Sequence, residues 1–213
     1  MDEITTEKNF SIKTWLFNPF HYLAGAGSLV TGLVMIVAAS LAASFSNSHF
    51  DGVLDFHTAM QVPVWLFVSE GLISWLCMAG VLSLAGLIIS KSRFRVIDVF
   101  GTQALARSPS LITGLAALLP GFAGFANQVA KEPASFSVFA HADPRGFVSF
   151  IILMVIVTVM IVWMVYLMYR AFAVSCNVSG AKAILTFTAA VIVAEALSKI
   201  LLGYTFIAVL GGK

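Results

Sequence analysis

Apolar residues fall in five long runs, at about 28–45, 63–90, 109–128, 146–174 and 183–210, with short polar stretches between them. A helix rises 1.5 Å per residue, so a run of about 20 apolar residues spans the roughly 30 Å of a hydrocarbon layer. Lipid offers the backbone no hydrogen-bond partners, and each run is too long for a barrel strand, so the pattern predicts helices. The second and fourth runs exceed the layer and are expected to tilt or project beyond it.

Composition agrees. Of 213 residues, 60% are hydrophobic and 10% charged, where an ordinary soluble domain carries about 25% charged residues. The expectation is an all-α integral membrane protein with five transmembrane helices: a polar cytoplasmic tail over 1–14, then one membrane domain over 15–213. The net charge of +2 and the lack of a basic tract give no reason to expect nucleic acid. The start, MDEITTEKNFSIKT, lacks the positive and early apolar regions of a signal peptide, so the first run is expected to insert as an uncleaved anchor. Cys77 and Cys176 fall at different depths and are expected to be free thiols.

Orientation follows from Lys and Arg. Lys8, Lys13, Lys91, Arg93, Arg95, Arg107, Arg170 and Lys182 fall on one side, against Lys131, Arg145 and Lys213 on the other. This places the N-terminus in the cytoplasm and the C-terminus outside, with Arg93, Arg95 and Arg107 as the cytoplasmic anchor. Two short interfacial helices are expected. One is Trp15–Gly25, starting at Asn18-Pro19 with Trp15 and Tyr22 at headgroup level. The other is Arg95–Ala106, lying on the cytoplasmic surface. Arg107, Ser108 and Pro109 read as a snorkelling charge, an N-cap and a first helical position. Small residues at 25–27, at Gly80, Ala85 and Gly86, at Gly114, Ala116 and Ala117, and at Gly121 and Gly124 suit close helix packing. No internal repeat of the transporter kind is visible.

Three ionisable residues lie inside runs: Glu70, Glu195 and Lys199. A charge in a membrane needs a partner or a wet cavity. Glu195 and Lys199, four apart, can pair on one helix face, and Glu70 lies in the same outer half. Such a cluster is read first as a structural knot between the second and fifth spans and second as a proton or ion relay.

The outward connection contains HFDGVLDFH, residues 49–57. Its polar residues His49, Asp51, Asp55 and His57 alternate with Phe50, Gly52, Leu54 and Phe56, so an extended chain would show them on one face. A structured interfacial loop is the first reading. A metal site ranks second, and needs the chain to fold back at Gly52-Val53, because a straight strand of this length is ~27 Å long at ~3.4 Å per residue. Catalysis ranks third: HExxH, GxSxG and clustered Cys are all lacking. Asn177-Val178-Ser179 matches a glycosylation sequon on the cytoplasmic side, where it would be silent. No cofactor is expected.

The stretches FNPFHYLAGAGSL, NSHFDGVLDFH, SRFRVIDVFGTQALARSPSL and YRAFAVSCNVSGAKAILTF, with the five-span layout, resemble bacterial members of the Yip1 domain family, particularly those of Bacteroidetes type. The resemblance runs from about Trp15 to the fifth span. It implies a five-span helical protein of the bacterial inner membrane and no catalytic motif. Eukaryotic relatives contact small GTPases and other membrane proteins, whereas the tail here offers little surface for such a partner. The expected function is therefore a non-enzymatic membrane protein that organises or binds other membrane components, or itself as a homo-oligomer. The alternative is a small ion- or proton-coupled transporter or channel using Glu70, Glu195 and Lys199.

Overall fold

The computed structural model describes residues 11–59, 61–131 and 143–210. Most of the polar tail, including Lys8, the connection over 132–142 and Lys213 lie outside the described residues. Among the described residues, four helices are long and apolar enough to cross a membrane: α2 (Gly25–Ser44), α3 (Val64–Ile89), α7 (Pro144–Ser175) and α8 (Gly180–Leu210). They match four of the five runs to within three residues at each end. Ile88, Val162, Leu185 and Ile200 point outward and are more than half exposed, so these helices are apolar on both their packed and their open faces, as lipid contact requires.

Their boundaries follow local chemistry. Asn47, in the left-handed region at φ 52°, turns the chain after α2. Asp143 caps α7 by accepting from the Gly146 N–H at 3.1 Å, and Pro144 takes the first helical position. Asn177 (φ 50°) and Gly180 (φ 73°) form the reversal between α7 and α8. The N-terminal segment comprises α1 (Ile12–Phe17) and a 3₁₀ turn over Pro19–His21. Trp15 stacks near Tyr22, and the Trp163 Nε1–H on α7 donates to the Leu16 carbonyl at 2.9 Å.

The third run departs from expectation. Residues 109–128 do not form one helix. They form α5 (Pro109–Ala116), a turn containing Pro120 and Gly121 (φ 82°), and α6 (Phe122–Lys131), which folds against the start of α7. Proline supplies no N–H to the helix ladder, and Gly121 lets the chain reverse where a side chain would crowd Gly146.

The surface helix expected over 95–106 is also corrected. It is α4 (Val96–Ala106), and Val99 and every residue from Gly101 to Ala106 are buried. It packs on α2, α3 and α7. The Gln103 amide donates to the Met168 carbonyl at 2.9 Å, and the Thr102 and Ser175 hydroxyls meet at 2.8 Å. Thr102 and Gln103, which a surface helix would turn to water, instead face a neighbouring helix. Glycines allow the approach. Gly101 lies against the Gly25 carbonyl, Gly32 against the Ala104–Leu105 peptide, and Gly114 against the Ala39 carbonyl. Positions 25, 32 and 39 of α2 thus meet 101, 104 and 114 in order, so α4 and α5 together run alongside α2 as one interrupted rod. The interruption is Arg107-Ser108-Pro109. Pro109 occupies the first position of α5, but Ser108 is itself in helical conformation and makes no side-chain cap.

Chain direction alternates through the bundle. The starts of α2 and α4 meet the ends of α3 and α7 at one end, through Gly25–Asp98, Thr102–Ser175 and the Ser90 hydroxyl donating to the Cys176 carbonyl at 2.7 Å. At the other end, Leu66 and Phe67 near the start of α3 pack with Phe206 and Val209 near the end of α8. Cys77 and Cys176 are buried free thiols.

Gly32→Val is expected to destabilise the purified protein by about 2–4 kcal/mol, because a backbone contact cannot repack around the new side chain. Gly80→Ala, where a Cβ meets open space, should leave the melting temperature within a degree or two of wild type, about the effect of a neutral surface change. Thermal unfolding in detergent compares the two.

Candidate functional site

The connection between α2 and α3 does not lie across the helix ends. It folds back on itself and enters the bundle. Strands β1 (Ser48–His49) and β2 (His57–Thr58) pair antiparallel, Ser48 opposite Thr58 and His49 opposite His57. The near-palindrome HFDGVLDFH is the sequence image of this hairpin. His49 and His57 stack with ring centroids 5.8 Å apart, Phe50 and Phe56 meet at 5.2 Å, Asp51 and Asp55 reach one lysine, and Val53 is the tip. The fold-back occurs at Gly52-Val53, the bend the sequence required for its polar groups to converge.

The tip is held at the midpoint of α8. Glu195 Oε2 accepts the Val53 N–H at 2.6 Å and the Leu54 N–H at 3.1 Å. Arg107, at the break between α4 and α5, donates from Nη2 to the Val53 carbonyl at 3.2 Å and is 4% exposed. One residue's two peptide groups therefore engage two opposite charges from different helices. Gly52 is required here, because a Cβ would overlap the Glu195 carboxylate. Nearer the hairpin's base, Glu70 on α3 shares a hydrogen bond with His49 Nδ1 at 2.7 Å and accepts the Phe50 N–H at 3.2 Å. Both side chains are almost fully buried, and the His49 ring stacks on Phe67 at 4.4 Å.

Lys199, one helical turn beyond Glu195, reaches Asp51 Oδ1 at 3.2 Å and also bonds Asp55 Oδ2. His57 Nδ1 lies 3.2 Å from Asp51 Oδ1 and 3.8 Å from Asp55 Oδ1. Burial pushes the Asp51 carboxyl up, but the His57 hydrogen bond and the positive charges of His57 and Lys199 outweigh it and leave its pKa below the ordinary value. The hydrogen bond to Asp51 and the charges of both carboxylates raise the His57 pKa against desolvation and the repulsion of Lys199.

Glu70, Glu195 and Lys199 therefore do not form a cluster of their own. The hairpin lies between them, and each acid or amine turns to a different part of it. Glu195 serves backbone N–H groups, and Lys199 turns to the two aspartates. Arg107 is the residue sequence reasoning placed wrongly. It anchors the hairpin tip inside the bundle, whereas Arg93 and Arg95 are exposed at the far end of α3. The cavity beside the tip, lined among others by Val53, Asp55, Arg107, Ser110 and Met164, measures about 20 Å³, room for no more than a water or so. No family model, curated protein or solved structure matches the chain.

Glu195→Ala leaves the Val53 and Leu54 N–H groups without their acceptor and removes a negative charge that favours the buried Arg107 guanidinium. It is expected to cost about 2–4 kcal/mol and to speed hydrogen exchange at Val53 and Leu54, with Glu195→Gln intermediate. Folding raises the His57 pKa, so its contribution to stability is complete below about 6.5 and is lost as pH rises through the folded value. In chelator-treated protein, ring NMR should place the His57 midpoint above 6.5, with Asp51→Asn moving it down.

Proposed function

We propose that the chain is a non-enzymatic, five-span membrane protein that presents its clamped hairpin as a fixed polar surface to other membrane components. Its N-terminus is cytoplasmic, its C-terminus is outside, and its character is of the Yip1 type, which sets it in a bacterial inner membrane. The observation that carries this reading is the use made of the interior charges. Glu70, Arg107 and Glu195 all terminate on the hairpin, where a conduit would leave them facing water. With α4 and α5 counted as one interrupted crossing, α2, α3, α4–α5, α7 and α8 make five passes of alternating direction. Taking Arg107 out of the inner side leaves seven Lys and Arg there (Lys8, Lys13, Lys91, Arg93, Arg95, Arg170, Lys182) against Lys131, Arg145 and Lys213, and the bias is unchanged in sign.

A second reading is a small ion- or proton-coupled transporter. It is favoured by one feature: a broken rod and a non-helical hairpin meet at mid-depth, the arrangement from which membrane proteins build solute sites.

Impermeant labelling of intact cells should modify a C-terminal tag and spare an N-terminal one; equal labelling of both removes the five-span topology. Crosslinking in native membranes should capture a discrete partner or homo-oligomer, and Glu195→Ala should weaken that capture. Proteoliposome flux that disappears on neutralising Glu70 and Lys199 would instead establish the transporter.

A further inference from the structure

We propose that Asp51, Asp55 and His57 bind a first-row divalent metal ion such as Zn²⁺, with Lys199 as the resident cation that the ion displaces. The three offer two carboxylate oxygens and one imidazole nitrogen, and these ligand atoms all lie within 4.8 Å of one another. A tetrahedral ion with bonds of about 2.0–2.1 Å sets its ligand atoms about 3.3–3.5 Å apart. The His57–Asp51 separation of 3.2 Å and the His57–Asp55 separation of 3.8 Å already approximate two such edges. The third edge, between the two part-exposed aspartates, lies within 4.8 Å and closes by side-chain rotation.

The cluster already holds one positive charge. The Lys199 ammonium is seated between the two carboxylates, so the cluster is built around a positive charge. The Lys199 ammonium and a protonated His57 together balance the two carboxylates, and a dication that replaces the ammonium and the imidazole proton keeps that balance. The Lys199 side chain is 39% exposed and sits on a flexible stem, so it can turn to water as the ion enters. The nitrogen donor selects a zinc-like ion over Mg²⁺ or Ca²⁺, which favour oxygen. His49 is not part of the set. Its Nδ1 is engaged by Glu70 and its ring packs on Phe67. The carboxylates stand on a bend clamped by Glu195 and Arg107, and that support holds them in register. Three protein ligands would leave one tetrahedral position for water or for a donor group from a partner.

The test is titration of the full chain in lipid nanodiscs with Zn²⁺ by calorimetry and with Co²⁺ by visible absorption. Wild type should bind one equivalent, with cobalt bands of tetrahedral intensity. His57→Ala and Asp55→Asn should each weaken binding by at least about tenfold. Lys199→Met should tighten it by about tenfold, since the competing charge is gone. A structural lysine with no ion to displace predicts no gain. Lack of saturable binding in wild type and Lys199→Met alike overturns the proposal, as does binding that none of the three substitutions alters. Asp55→Asn alters an outer, part-exposed group and removes no backbone support, so it reads out ligation even if His57→Ala fails to fold.

Discussion

The structure depends on finding hydrogen-bond partners for a short piece of irregular backbone carried into an apolar bundle. Each buried peptide group left without a partner costs on the order of a few kcal/mol, and lipid supplies none. Helices meet this demand within themselves; a hairpin tip cannot. Here the demand is met by side chains from three directions: Glu70 and Ser74 on α3, Arg107 at the α4–α5 break, and Glu195 on α8. The presence of glutamate and arginine in so apolar a chain, and of a glycine at the tip, follows from that requirement.

This separates two sets of charged residues that share one hairpin. The inner set, with Glu70 and Arg107 buried and Glu195 partly so, is spent on backbone and imidazole groups, and its geometry leaves little freedom. The outer set of Asp51, Asp55, His57 and Lys199 is partly exposed and bonded mainly within itself, so its members can exchange partners without unmaking the fold. Rigidity of the first gives the second a defined shape, the usual division between supporting and working groups at a site.

Four long helices were legible from hydrophobic runs because lipid-facing and packed faces are both apolar. The interrupted rod was not. In α4, the polar residues Thr102 and Gln103 gave the pattern of a half-wetted helix, and nothing in one segment distinguishes water from the carbonyl of a neighbour such as Met168. Arg107 misled for a related reason: tallied with Arg93 and Arg95 it looked like part of a basic anchor, although Pro109 two residues later was a visible break. In the site, the residue types were readable and the partners were not. The i, i+4 spacing of Glu195 and Lys199 suggested a pair, yet a loop about 140 residues earlier claims both, Glu195 through backbone N–H groups and Lys199 through two aspartates. The palindrome did hold the answer, since equal residues about Val53 fall opposite one another when the strand folds in half.

The burial of α4 also bears on biogenesis. A segment carrying Gln103 and ending in Arg107 partitions poorly into lipid by itself. Glycine-lined α2 is already in place when α4 leaves the ribosome, but the Met168 carbonyl and the Ser175 hydroxyl belong to α7, which is synthesised later. Thr102 and Gln103 therefore gain these partners only once α7 has been made, so α4 settles into its final contacts later than its place in the chain would suggest.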